Sequence, residues 1–155
     1  MEHRIDLRDA QPRLLAAVKV TTVLSRWPSE FAHELSKVYE VIRAGKARKA
    51  GHNVMVYYPR KDGKVDIVCG VEIAEKFEPV GDVGYFETPA GPAVSALHSG
   101  PYNRLGLTHD AVVAWIRANH HEPSGICWEI YGDWEEDPAK LRTEIFHLLQ
   151  RTGSL

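Results

Sequence analysis

Hydrophobic and polar positions in the first half of the chain predict two strands, a helix and two further strands. Residues 4–9 alternate polar and apolar side chains, whereas residues 14–24 form an apolar run that becomes β-branched, and both patterns are typical of strands. Over residues 31–42, apolar side chains recur with the spacing of one helical face. An Asp-Gly pair then separates residues 53–59 from residues 65–73, which favours a β-hairpin.

The second half of the chain repeats this order of elements. Short strands are predicted at residues 85–88 and 93–98, and a helix follows them. Two more strands are predicted at residues 126–131 and at about 141–149. The stretch 74–82 contains proline and glycine without a clear period, so it is the best candidate for a linker between the halves.

The repeat predicts the fold class and the domain organisation. Pro92 repeats Pro12 at an offset of roughly 80 residues, which is too long for a solenoid and suits a duplicated α+β unit. We expect duplicated strand–helix–strand–strand modules about a pseudo-twofold axis, with antiparallel sheets that form a central groove. One domain over residues 1–155 is expected, with halves at about 1–76 and 80–150. The seam between such halves is a natural ligand site.

Composition and charge then narrow the classes of function. The chain has 155 residues, of which 19 are basic and 21 acidic. It therefore lacks the basic excess of a dedicated nucleic-acid binder. The sequence MEHRIDLRDA carries charges where a signal peptide needs an apolar core, and no apolar run approaches the length of a membrane span. We expect a cytoplasmic protein that binds neither nucleic acid nor membrane directly.

The strand around Glu129 carries the most informative chemistry. Cys127, Glu129 and Tyr131 share one face of this strand. Trp128 and Ile130 share the other face, which we expect to pack on the helix. A carboxylate flanked by a thiol and a phenol is partly desolvated, so its pKa should rise, and it could attract a cation or act as an acid or base. The alternative is a solvated outer face of an antiparallel sheet, where Glu and Tyr are common.

Three further side chains are candidates for the same site. Glu144 follows on the next strand, and if it faces the same way as Glu129, two acids share a cleft. The alternative is that Glu144 forms a salt bridge with Arg142, Lys140 or a residue of a helix. Tyr57 and Met55 could form an aromatic slot with Tyr131, which suits planar or cationic ligands. The alternative for Tyr57 is an ordinary half-buried tyrosine.

Histidine and cysteine spacing gives no metal or nucleophile motif. The chain has eight histidines and two cysteines. His98 and His109 lack the spacing of known zinc motifs, and neither Cys69 nor Cys127 has a histidine nearby in sequence. No glycine-rich phosphate-binding motif is found either. We therefore expect no metal and no cofactor.

Several passages resemble the GyrI-like small-molecule-binding domain, which is also the effector-binding domain of many AraC- and MerR-type bacterial transcription activators. Residues 81–105 (GDVGYFETPAGPAVSALHSGPYNRL) resemble its strand–PAG–strand–xGPY passage. Residues 128–131 (WEIY) resemble its E-[VI]-Y strand, and residues 137–145 resemble its DP…RTEI ending. In the first half, residues 65–71 (VDIVCGV) are similar to its D-x-x-x-G-V strand.

The resemblance implies a groove between two modules in which hydrophobic, often cationic or aromatic compounds bind. It also implies that the acid of the E-[VI]-Y strand, here Glu129, sits in that groove and that Glu144 lines it. From the residues and the resemblance together, the expected ligand-binding residues are Glu129, Tyr131, Glu144, Tyr57, Met55 and Cys127.

The leading expectation for function is a stand-alone small-molecule-binding protein without a helix-turn-helix of its own. Some members of the resembled family hydrolyse strained, cyclopropane-containing natural products. The alternative is therefore a hydrolase in which Glu129 or Glu144 acts on the attacking water and Tyr131 or Tyr57 donates a hydrogen bond to the substrate. Other members inhibit DNA gyrase, so a gyrase or DNA-binding protein partner is a third expectation.

Overall fold

The computed structural model describes residues 4–151, and its elements follow the order that the sequence predicts. The strands are β1 (Ile5–Ala10), β2 (Leu14–Thr22), β3 (Lys49–Pro59), β4 (Val65–Ile73), β5 (Gly84–Glu87), β6 (Gly91–Ser99), β7 (Pro123–Tyr131) and β8 (Arg142–Leu149). The helices are α1 (Trp27–Arg43) and α2 (Leu105–Ala118). Strand, strand, helix, strand and strand thus occur twice, and all the sheet pairings described below are antiparallel. The predicted α+β class is confirmed.

The chain forms two compact units, each of which takes one strand from the other sequence half. The contiguous unit is Pro12–Thr88, and the split unit joins the residues up to Gln11 to those from Pro89 onward. The cause is strand pairing, because β1 pairs with β6 and β5 pairs with β2. The sequence halves at about 1–76 and 80–150 are therefore offset from the units by one exchanged strand each. Cooperative unfolding of the chain as one domain stays a prediction.

The contiguous unit consists of the strands β3, β4, β2 and β5 in that order, with α1 packed on β2 and β4. Trp27, Val38 and Val41 are the buried residues of α1. The helical spacing places Phe31 on the core face, but its side chain remains 38% exposed beside the ring of Trp27. The burial of α1 is therefore concentrated at its first residue and in its second half.

The split unit consists of the strands β1, β6, β8 and β7 in that order. Val112 and Ile116 of α2 pack against Val94 and Ala96 of β6 in a buried cluster. Ala96 lies opposite Ile145 of β8 in the sheet register. Residues directly opposite each other in antiparallel strands point to the same face. The face that carries Ile145 is therefore the face that α2 covers.

This register corrects the predicted orientation of β7. Glu129 lies opposite Ile145, so Glu129 and not Trp128 points to the helix-covered face. Trp128 lies opposite Phe146 on the other face, where the two rings stack with centroids 5.1 Å apart. The predicted alternation along β7 is right, but the prediction that Trp128 and Ile130 pack on the helix is wrong. No helix within residues 4–151 is long and apolar enough to cross a membrane.

Candidate functional site

A chain of hydrogen bonds joins four side chains of the split unit. The Tyr131 hydroxyl donates to Oε1 of Glu129 over 2.5 Å. Nε2 of His109 lies 2.7 Å from Oε2 of Glu129, and Nδ1 of His109 lies 2.8 Å from Nε2 of His147. One buried carboxylate is thus connected to a phenol on one side and to two imidazoles on the other.

Regular periodicity brings these four residues together. His109 precedes Val112 and Ile116 by three and seven residues, so it continues the buried stripe of α2 over the sheet. His147 lies opposite Cys127 in the register, two residues along β8 from Ile145, and therefore shares the helix-covered face. The sequence analysis missed His109 and His147 as site residues. The signal that could have found them is a polar imidazole at a stripe position that is otherwise apolar.

Burial determines the protonation of His147 and Cys127, which lie near Glu129, itself only 5% exposed. Burial lowers the pKa of His147 to about 4, the charge of His109 adds to this decrease, and Glu129 opposes it. His147 is therefore neutral at pH 7. Burial, with a smaller contribution from the charge of Glu129, raises the pKa of the Cys127 thiol to about 12. Cys127 is therefore a thiol, and not a ready nucleophile, at neutral pH.

Aromatic rings lead from the buried carboxylate towards solvent. The ring of Tyr102 packs edge-on against the ring of Tyr131, with their centroids 5.5 Å apart. Tyr102 begins a short 3-10 turn before α2 and is 40% exposed. Sequence analysis included Tyr102 in a motif but did not assign it to the site. The structure adds it as a phenolic ring beside Tyr131.

Three side chains near Glu129 could together bind a metal ion. His109, Cys127 and His147 each offer one donor atom, and these atoms all lie within 4.8 Å of one another. Cys127 is half-buried and forms no disulfide. Sequence spacing gave no indication of this group, because its members come from α2, β7 and β8.

Glu144 does not join Glu129 in a shared cleft. It lies opposite Ile130 in the register and therefore points to the face away from Glu129. Its carboxylate pairs with Arg8 of β1 at 3.4 Å. The structure thus shows the expected salt bridge, but its partner is Arg8 and not Arg142, Lys140 or a helix residue. The cause is an offset of one residue, which reverses the face in a strand.

Met55 and Tyr57 lie on β3, in the contiguous unit. They share one face of that strand, and the Tyr57 hydroxyl contacts the Met55 sulfur at 3.7 Å. Met55 is buried, whereas Tyr57 is half-buried. The aromatic slot that these two residues are expected to form with Tyr131, and their participation in ligand binding, stay predictions.

Comparison with known proteins identifies one family and several similar structures. The sequence profile of the GyrI-like small molecule binding domain matches residues 35–149. The crystal structure of the EcmrR C-terminal domain superimposes with a TM-score of 0.77 at 16% identity, covering 98% of this chain and 100% of that one. No curated protein sequence matches the chain.

Two other solved structures share the fold at low identity. SAV2435, solved bound to tetraphenylphosphonium, superimposes with a TM-score of 0.62 at 15% identity and covers 97% of this chain and 95% of its own. A hydrolase from Listeria innocua gives a TM-score of 0.58 at 10% identity, covering 95% of this chain and 92% of its own. At these identities the superpositions show a common fold.

Proposed function

Because the chain belongs to the GyrI-like small-molecule-binding family, we propose that it binds hydrophobic, aromatic or cationic small molecules at Glu129. The observation that carries this proposal is a carboxylate buried to 5% exposure beside the phenol of Tyr131, against whose ring Tyr102 packs. An anion away from water attracts a cation more strongly than a surface carboxylate does. Aromatic faces add a further attraction for the same class of ligand.

The hydrogen-bond partners of Glu129 stabilise its ionised form. An ionised carboxylate can only accept hydrogen bonds, so Tyr131 donates to it and His109 donates its Nε2–H. His147 is neutral at pH 7, so it adds no positive charge beside this carboxylate. Such a site favours an organic cation with aromatic surface over a neutral compound of the same shape. SAV2435 was solved with a ligand of this type, tetraphenylphosphonium, which supports that cation as a probe.

A titration with two dyes tests this proposal. Wild type and Glu129→Gln are titrated with a cationic dye of the rhodamine type or tetraphenylphosphonium, and with a neutral dye of similar shape. Glu129→Gln keeps the shape of the side chain, so it should weaken the cation by at least about tenfold, or about 1.4 kcal/mol, and the neutral dye less. Glu144→Gln, on the opposite face, should leave both affinities unchanged. Equal affinities of wild type and Glu129→Gln for both dyes would contradict the proposal.

A second candidate function is hydrolysis of reactive electrophiles such as strained cyclopropanes. The observation that favours it is the bonded series Tyr131, Glu129 and His109, in which a carboxylate that can take a proton from water lies beside two donors. In this case Glu129→Gln should abolish turnover while neutral-dye binding persists. The fold shared with the Listeria innocua hydrolase supports assaying for it. Glu144 has no part in this candidate reaction, because it points to the other face.

Tyr57, Met55 and the protein partners require their own tests. Tyr57→Leu should weaken the cationic dye if these two residues contribute to the binding surface, as the sequence predicts. A gyrase or DNA-binding partner is a further prediction, which a supercoiling assay and a pull-down with the purified proteins test directly.

A further inference from the structure

We propose that His109, His147 and Cys127 form a binding site for a thiophilic transition-metal ion of the Zn²⁺ type. Two imidazoles and one thiol bring their donor atoms within 4.8 Å of one another in the split unit. This combination of ligands suits Zn²⁺ and similar late transition metals, whereas Mg²⁺ and Ca²⁺ require oxygen ligands.

The two imidazoles need only a small adjustment to accept an ion, whereas the Cys127 sulfur, within 4.8 Å of their ligand atoms, must approach to the roughly 3.5 Å that tetrahedral bonds require. Nδ1 of His109 and Nε2 of His147 are 2.8 Å apart and share one proton. Tetrahedral coordination with Zn–N bonds of about 2.0 Å would separate these nitrogens to about 3.3 Å. An ion therefore takes the place of the shared proton after the rings part by about half an ångström. Cys127 lies opposite His147 in the register, so it approaches the same point from the neighbouring strand.

Glu129 prepares His109 as a ligand. Metal-bound histidines usually donate their second ring N–H to a carboxylate, which fixes the tautomer and orients the ring. Here Oε2 of Glu129 lies 2.7 Å from Nε2 of His109. An ionised Glu129 holds the proton on Nε2, which leaves the lone pair of Nδ1 directed at His147 when His109 is neutral. The arrangement needed by a metal ligand is thus present before any ion binds.

The protons balance in a simple way. With both imidazoles neutral, His147 moves its proton from Nε2 to Nδ1, and both rings stay neutral. Cys127 binds as the thiolate and gives its thiol proton to solvent, so one proton is released for each ion bound. Three protein ligands leave a fourth position for water or a bound molecule, as in catalytic zinc sites. Of the two histidines, His109 is more accessible to solvent than His147, because its side chain is 20% exposed whereas His147 is buried.

The site can be detected with Co²⁺ as a spectroscopic probe for Zn²⁺. The full chain, freed of metal and kept reduced, is titrated with Co²⁺ and followed by absorption. We expect a thiolate-to-cobalt charge-transfer band in the near ultraviolet and strong visible bands that saturate at one equivalent. Added Zn²⁺ should remove both. Absence of the charge-transfer band from the folded protein at one equivalent would overturn the proposal.

Variants identify the ligands. Cys127→Ser should remove the charge-transfer band, whereas Cys69→Ser, which changes the other free cysteine, should keep it. Glu129→Gln should lower the Co²⁺ affinity by about 10- to 100-fold through the orientation of His109. The double change His120→Gln and His121→Gln removes two adjacent histidines outside the cluster and should have no effect. Persistence of the band in Cys127→Ser would also overturn the proposal.

A second measurement covers the case in which Cys127→Ser fails to fold. X-ray absorption of the Zn²⁺-loaded wild type should show one sulfur and two imidazole nitrogens around the ion, and a shell without sulfur would refute the assignment. Dye titrations run with a chelator separate this proposal from the small-molecule one. If the wild-type protein binds Co²⁺ but neither dye, only the small-molecule proposal is contradicted. If it binds the dyes but not Co²⁺, only the metal-site proposal is contradicted.

Discussion

At the scale of single residues, His147 couples protonation to folding. Burial, with a smaller contribution from the charge of His109 on α2 and against the opposing effect of Glu129 on β7, lowers its pKa to about 4. Cys127, also on β7, lies opposite it as a neutral thiol. In the unfolded chain the same imidazole titrates near its usual value of about 6.5. Between these values the unfolded chain binds more protons, so stability decreases as the pH falls below about 6.5, and the loss is complete near pH 4.

The comparison with His147→Gln isolates this contribution. From pH 7 to pH 5, metal-free wild type should lose about 2 kcal/mol more of its free energy of unfolding than His147→Gln does. Urea denaturation of both proteins at both pH values, with a chelator present, measures the difference. The same pH dependence in the two proteins would show that His147 is not held neutral by the fold.

Tyr131 gives a second prediction at this scale. Its hydroxyl donates to the buried carboxylate of Glu129, so Tyr131→Phe removes one donor from a charge that has little access to water. We expect a loss of about 1–3 kcal/mol in the free energy of unfolding. Tyr102→Phe is the matched control, because that phenol is 40% exposed, and it should change stability little. Similar urea midpoints for Tyr131→Phe and wild type would argue against a stabilising hydrogen bond.

At the scale of elements, α2 fixes the site by packing its apolar stripe on the sheet. Ile116 is fully buried against β6 and β8, so Ile116→Ala should lower the free energy of unfolding by about 2–5 kcal/mol. Leu107, on the same helix, is 61% exposed, and Leu107→Ala should cost less than about 0.5 kcal/mol. Thermal or urea denaturation of the two variants checks the contrast. Equal losses would mean that α2 does not pack as described.

The elements also show what the sequence can and cannot predict. Alternation along β7 correctly grouped Cys127, Glu129 and Tyr131, because side chains in a strand have a period of two. The side of the sheet that α2 covers was predicted wrongly, since β7 carries apolar or aromatic residues on both faces and periodicity does not rank them. His109 and His147 were missed as partners for Glu129. The contact between His109 and His147 depends on how α2 packs over β8, and local sequence patterns do not predict that packing.

At the scale of the whole molecule, the exchange of β1 and β5 determines which fragments can fold. A fragment ending at Val80 retains β1 without its partner β6 and lacks β5, which pairs with β2. It should be unfolded or aggregated, because a chain of about 80 residues with incomplete sheets buries too little surface. A fragment of residues 12–88 contains every strand of the contiguous unit and should be better ordered. Amide dispersion in NMR spectra of the two fragments makes the comparison, and equal dispersion would contradict the prediction.

Strand exchange was the part of the fold least accessible from sequence. The repeat with an offset of roughly 80 residues correctly gave two copies of one element order. A repeat specifies like elements but not which copy each strand pairs with. β1 and β5 occupy equivalent places in the two copies, so the sequence pattern alone allows either pairing. The choice is made by contacts between residues distant in the chain.

The order of strands in the split unit also has a consequence for synthesis on the ribosome. β1 is made long before its partner β6 is complete at Ser99, and β8, which lies between β6 and β7 in the sheet, is made after both of them. The contiguous unit can assemble while this translation continues. His147 lies on β8, so a nascent chain can join Glu129 to both histidines only after β8 has left the exit tunnel. Chains that stall or terminate before β8 would therefore lack a complete site.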